Sequence, residues 1–195
     1  MVSEDVIEQI DRVIKEIWVK NLPDDYADNY MLKEASLKCC FYYHLRRKLA
    51  VLLRENNLRI YSEFYFPELG YAADLAIVEV DVEKEEKHLR NQVTDVVAVI
   101  ELKYDGGNAE RTAVWIKSDI PKIKNYVGAD VSRQFYFAVI YETECSRLTW
   151  MDKRSTNNWA SGRVTELDAG YIDGEMWFEV NPYNGLNPEL TAAVR

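Results

Sequence analysis

Histidine and cysteine are scarce in this chain, with two of the first and three of the second in 195 residues. Two of the cysteines, Cys39 and Cys40, are adjacent, which makes a poor disulfide framework and points to a reducing cytoplasm with thiols used as small core residues. His44 and His88 are too few for a histidine-rich metal site, and a Ser-His-Asp hydrolase would have to use one of them without any recognisable motif around it. No run approaches the ~20 apolar residues that cross a bilayer, so no membrane contact is expected. The acidic, helix-patterned start MVSEDVIEQI is not that of a signal peptide. Positive charge is also in deficit. Lys and Arg total 24 against 33 Asp and Glu, a net charge of −9, which argues against a protein that coats nucleic acid through its overall field.

What is present is an ordinary globular composition, 48% hydrophobic and 29% charged, in a length suited to one domain. There is no internal repeat and no low-complexity linker. Apolar residues from Val6 to Trp18 recur at steps of three and four, predicting an N-terminal amphipathic helix over about 4–19 with Ser3 or Asp5 as its cap. NLPDD, residues 21–25, reads as a turn, and a second helix is expected from Asp28 to Arg54, ending at Asn56-Asn57. Strands follow at Leu58–Phe66 and Tyr71–Val80, joined through Pro67–Gly70. The charged stretch Asp81–Asp95 reads as a hairpin extension or short helix, and VVAVIELKY, Val96–Tyr104, as a buried strand. A helix over Ala109–Tyr126, with a boundary or kink near Pro121, leads to the apolar strand Gln134–Tyr141, which should lie parallel beside Val96–Tyr104 after the crossover. Beyond Cys145 comes a polar loop with two tryptophans and a basic pair, Lys153-Arg154, which either stacks on bases or packs its tryptophans down. A closing hairpin around Asp173-Gly174 and a tail complete the chain.

Charged groups sit inside these apolar runs. Glu101 and Lys103 alternate with Leu102, so both point to one face of their strand. Asp74 interrupts the strand before it, and a carboxylate in a sheet needs a partner or a cation. Read blandly, Glu101 and Lys103 are a surface ion pair worth ~0 to 1 kcal/mol. Read chemically, two carboxylates on neighbouring strands hold a hard divalent cation such as Mg²⁺, and a lysine beside them orients water or offsets charge on a phosphate. Glu34 falls in line with Phe41, Leu45 and Leu52 on a 3.6-residue period. It either joins that site or lies exposed one turn inside the helix start, favoured by the dipole.

Asp74 followed by Glu101-Leu102-Lys103, with an acidic residue on a preceding helix, resembles the PD-(D/E)XK nuclease superfamily over about residues 28–144. Ala73 stands where the family's name has proline, and the long interval between Asp74 and Glu101 is filled by the Asp81–Asp95 excursion. The resemblance implies an α/β restriction-endonuclease-like core, a mixed central β-sheet flanked by helices in the order helix, three antiparallel strands, helix, strand. The N-terminal helix would be added before this core and residues 145–195, with their hairpin, after it. It implies Asp74 and Glu101 as metal ligands, Lys103 as the catalytic lysine, Glu34 as an accessory ligand, and Mg²⁺, or Mn²⁺ in its place, as the cofactor. Lys122 and Tyr126, in KIKNY, are similar to a polar residue and tyrosine that face the cleft in several of its families and would contact substrate; a tyrosine on a core edge explains Tyr126 equally well. The implied activity is phosphodiester hydrolysis of nucleic acid, DNA ahead of RNA, by a restriction- or repair-type endonuclease, with a homodimer as the way to cut two strands. The rival expectations are a nuclease-fold binding or interaction module without turnover, which the acidic composition favours, and charges that are surface accidents.

Overall fold

Six strands form one mixed sheet in the order in which the chain visits them. The structure is a computed structural model describing residues 2–105, 109–145, 149–152, 154 and 157–190, without the side chains of 109–113 and 115. The Gly106-Gly107 turn, Arg147, Lys153 and the last five residues lie outside the described residues.

Helix α1 (Glu4–Glu16) is capped by Ser3, whose hydroxyl accepts from the Val6 N–H, and it presents Val6, Ile7, Ile10 and Ile14 to the core. NLPDD is not a turn. The chain continues through a wide helical turn (Ile17–Asn21) into α2 (Leu22–Ala27), where Pro23 sits at the start of a helix and needs no hydrogen-bond partner for its missing N–H. The expected single helix from Asp28 to Arg54 is instead α3 (Glu34–Lys48) and α4 (Ala50–Glu55), broken at Leu49. Residues 28–33 are not helical, and the Ser36 hydroxyl accepts from the Leu32 and Lys33 N–H groups to start α3.

Strands β1 (Leu58–Phe66), β2 (Tyr71–Val80) and β3 (Val93–Asp105) are antiparallel neighbours. Between β2 and β3 the charged excursion contains one short helical turn, Leu89–Gln92. Helix α5 (Ala109–Gly128) runs through Pro121 and crosses over to β4 (Gln134–Glu144), which is parallel to β3. β5 (Val164–Ile172) pairs parallel with β4, and β6 (Glu175–Pro182) closes the sheet antiparallel to β5.

Alternation along the strands divides the core into two layers. Tyr136, Ala138 and Ile140 of β4 pack with Ile100 and Leu102 of β3 under α1, α3 and α4, whereas Phe135, Phe137 and Val139 pack with Val99 under Ile116, Ile123 and Tyr126 of α5. The segment after Cys145 is no appendage: Leu167, Ala169, Phe178 and Val180 lie in the first layer. The tryptophan loop packs down, with Trp150 buried and Trp159 against the second layer. No described helix is long and apolar enough to cross a membrane.

β5 also carries two carboxylates into the second layer. Glu166 accepts from the N–H groups of Trp150 and Met151 at 2.9 and 2.8 Å and from the hydroxyls of Thr149 and Tyr183 at 3.1 and 2.7 Å, pinning the tryptophan loop to the sheet. Burial raises the Glu166 pKa against those donors, and burial with the Glu166 charge raises that of Asp168 further. Both carboxyls therefore keep their protons to higher pH when folded than in the unfolded chain, where carboxylates titrate near pH ~4. The stabilisation is complete below that value and is lost as pH rises through the folded pKa values. Asp168→Asn is expected to make the chain more stable than wild type at pH 8, with a smaller difference at pH 5, read from urea midpoints. Equal pH slopes for the two proteins would refute it.

Candidate functional site

The site lies at a fork in the sheet. β2 stays hydrogen-bonded to β1 as far as Tyr71, but its ladder with β3 reaches only to Leu75 opposite Ile100. Asp74 is the next residue out. With no ladder partner at this point, the Leu102 N–H of β3 is taken by the Asp74 carboxylate, Oδ2 accepting at 2.9 Å. This bond seats Asp74 against the backbone between Glu101 and Lys103.

Glu101 is 1% exposed and points toward α5. Its Oε2 is 2.7 Å from Nζ of Lys122, and its Oε1 accepts from the Tyr126 hydroxyl at 2.8 Å. Burial pushes the Glu101 carboxyl up to about 7; Lys122 opposes this, and the Asp74 charge adds to it. The two carboxylates thus share one neighbourhood. Leu102, between Glu101 and Lys103, is buried in the opposite layer with Ile100.

Lys103 does not pair with Glu101. Its Nζ lies 3.2 Å from Glu34 at the start of α3 and 3.0 Å from Asp119 on α5. Burial alone would lower the pKa of this ammonium, but Asp119 and Glu34 outweigh burial and raise it above the ordinary lysine value. Lys103 is therefore a fixed positive charge at neutral pH, not a base. Glu34 is the first residue of α3, not one turn inside it, is partly exposed, and pairs with Lys103.

Lys122 and Tyr126 are one helical turn apart on α5 and converge on the same carboxylate. Tyr126 is fully buried among Phe66, Tyr71 and Phe135 and reaches Glu101 from the core side. Partners that orient a metal-ligating group are generally worth 10–100-fold in metal affinity. With Glu101 as the proposed ligand, Tyr126→Phe is expected to keep the fold and weaken Mn²⁺ binding by about tenfold or more in calorimetry. An unchanged affinity would remove Tyr126 from the site's machinery.

Three further groups were not singled out as site residues from the sequence. Lys38 of α3 reaches Asp74 Oδ1 at 2.7 Å and also pairs with Glu63 of β1. Burial works against its charge, and Asp74 and Glu63 raise its pKa above the ordinary value nonetheless. Glu63, which the sequence offers either as an outward strand residue or as a further acidic group lining the cleft, sits at φ 52° in mid-strand, between the Ser62–Leu75 and Phe64–Ala73 pairs. A non-glycine residue there costs on the order of 1–3 kcal/mol and marks places where backbone is held for a purpose. Asp119 is the third. Helical spacing carried the signal for two of them: Glu34 and Lys38 are four apart, and Asp119, Lys122 and Tyr126 lie at steps of three and four.

The centre holds five carboxylates, from Glu34, Glu63, Asp74, Glu101 and Asp119, and three ammoniums, from Lys38, Lys103 and Lys122, so 3 − 5 gives −2 with all ionised. No protein-family model, curated protein or solved structure matches the chain. Among the described residues no three His, Cys, Asp or Glu side chains group to hold a metal ion. A Mg²⁺ site does not need an all-protein cage, since that ion is held through one or two carboxylates with water and substrate phosphate completing the shell. Asp74 and Glu101 fit this donor set, and each already has a cationic nitrogen at 2.7 Å.

Proposed function

We propose that the chain is a divalent-cation-dependent phosphodiesterase of restriction-endonuclease-like fold acting on nucleic acid, with DNA ahead of RNA. The observation that carries this reading is the fork: Asp74, from β2, is bonded to the backbone between Glu101 and Lys103 on β3. Also in its favour is the element order α3, β1, β2, β3, α5, β4, interrupted only by the short α4 and the Leu89–Gln92 turn, which follows the helix, three antiparallel strands, helix and further strand expected of that fold.

In this reading Asp74 and Glu101 hold Mg²⁺, or Mn²⁺ in its place, and Glu34 reaches the centre through Lys103 as an accessory group. The ion would supply polarisation of a phosphoryl oxygen and a lowered pKa for water. The protein's own part is to position and balance charge. Lys122 and Tyr126 fix the rotamer of Glu101. Lys103, held cationic between Glu34 and Asp119, offsets charge on the phosphate as water adds to phosphorus with loss of a proton to solvent, and as the bond to the leaving oxygen breaks and that oxygen takes a proton from solvent. Cleavage of plasmid and single-stranded DNA with Mg²⁺ or Mn²⁺ tests the proposal, with Glu101→Gln and Lys103→Ala as controls; wild type as inert as both variants would refute it.

A second reading is a binding or interaction module of the same fold without turnover. It is favoured by the lysines already seated on both carboxylates and by the net charge of −9. Mn²⁺ calorimetry separates the two, since a binding module has no use for the ion.

A further inference from the structure

Three arginines from three different elements line one concave surface of about 460 Å³: Arg46 in the last turn of α3, Arg54 in the last turn of α4 and Arg59 on β1, with Asn57 between the last two. Two of them, Arg46 and Arg54, are exposed, and among the described residues neither is ion-paired. Arg59 donates to the Leu58 carbonyl at 2.8 Å, which uses one of its five N–H groups. Cations in a last helical turn are commonly explained by the helix dipole. That explanation covers Arg46 and Arg54 separately but not their convergence, and it does not reach Arg59, which is on a strand. Three like charges converge on one concavity, in a chain with nine more acidic than basic side chains, and an anion seated there would relieve their mutual repulsion.

The same two elements carry this concavity and the metal centre. From Lys38 to Arg46 is eight residues of α3, ~12 Å at 1.5 Å each. From Arg59 to Glu63 is four residues of β1, ~14 Å at about 3.4 Å each. A nucleic-acid strand advances ~3.4 Å per phosphate along its axis. A strand laid along α3 and β1 with one phosphate at Asp74 and Glu101 would therefore have another over the arginines about four nucleotides away. Guanidinium groups match phosphate oxygens in pairs, which suits this site better than lysine would.

We infer that Arg46, Arg54 and Arg59 form a phosphate-binding subsite for the nucleic-acid backbone about four nucleotides from the scissile bond. The inference rests on the phosphodiesterase reading for the identity of the polyanion but not on turnover. The subsite anchors the strand without reading bases, so it contributes affinity and register and no sequence preference.

The test is binding of a short labelled duplex in EDTA across a salt series, where no cleavage occurs. The Arg46→Ala/Arg54→Ala double variant is expected to bind about tenfold or more weakly. Its slope of log affinity against log salt should be shallower by nearly two, at about 0.9 per lost phosphate contact. Arg12→Ala/Lys20→Ala, which removes two exposed cations elsewhere, should match wild type. An unchanged slope in the arginine variant overturns the inference, as does wild type that fails to bind duplex while binding polyglutamate. Failure of the phosphodiesterase reading appears separately. Wild type that binds duplex through Arg46 and Arg54 yet cleaves nothing with Mg²⁺ or Mn²⁺ retains the subsite and loses the enzyme.

Discussion

Glu101→Gln is expected to lower Mg²⁺-dependent cleavage by more than about a hundredfold while leaving the fold intact. The substitution keeps the shape of the side chain, and the remaining amide oxygen still accepts from the Tyr126 hydroxyl. What disappears is the negative charge at the one carboxylate that sits 1% exposed between α5 and the fork. Changes to the partners of a ligand typically cost 10–100-fold, so loss of a ligand itself should exceed that range. Lys103→Ala should slow the chemical step comparably and leave Mn²⁺ binding in place, because Lys103 contacts Glu34 and Asp119 and not Glu101 or Asp74. Single-turnover rates and Mn²⁺ calorimetry on the same preparations decide the matter. Equal rates for wild type and both variants would end the phosphodiesterase reading.

Lys15→Met is expected to destabilise the chain by ~3–5 kcal/mol, the usual result of removing one partner from a buried ion pair. Lys15 and Asp11 are four apart on α1, both 0% exposed, with Nζ and Oδ2 at 2.8 Å. Asp11 also accepts from the Tyr136 hydroxyl of β4 and from the side-chain amides of Asn184 and Asn187, at 2.9, 2.9 and 2.8 Å. Lys15 in turn donates to Asn184 Oδ1 and the Leu186 carbonyl. The network joins the first helix, the middle of the sheet and the chain after β6 in one buried polar knot. Against a typical total of 5–15 kcal/mol the loss is severe. Adding Asp11→Leu should restore part of it and not all, since Tyr136, Asn184 and Asn187 then lose an acceptor. A urea-denaturation loss below ~1 kcal/mol for Lys15→Met would show the pair to be unimportant.

Strand assignments transferred well from pattern to structure because each rests on local periodicity. Leu58–Phe66 and Tyr71–Val80 are strands over the ranges read from the sequence, and Glu175 starts the closing strand. Helix boundaries transferred less well. NLPDD carries strong turn residues, yet Pro23 is compatible with a helix start, so the chain stays helical through it. The break at Leu49 has no glycine or proline to announce it. Asp11 and Lys15 are four residues apart on α1, a spacing shared by any i,i+4 pair, and nothing in α1 itself reveals that the chain around Asn184 folds over them.

At the site, Asp74, Glu101 and Lys103 stand out in the sequence because charges inside apolar strands are conspicuous, and Lys122 and Tyr126 enter through the family resemblance alone; that Lys122 and Tyr126 both meet Glu101 is seen only in the fold. The remaining partners stand out less. Lys38 and Asp119 look like ordinary polar residues of amphipathic elements, and Glu63 fits an outward-facing or a cleft-lining position equally until its positive φ and its pairing with Lys38 are known.

The sequence alone determined the alternation that puts Glu101 and Lys103 on one face, the apolar runs that make a buried sheet, and the acidic balance, because these follow from strand and helix periods and from composition. Tertiary structure alone decided that Lys103 serves Glu34 and Asp119 and not Glu101, that Asp74 fills the gap where β2 leaves β3, and that three arginines meet at one surface. Each of those depends on groups brought together across the fold, and side-chain distances between elements are set by packing and not by spacing along the chain.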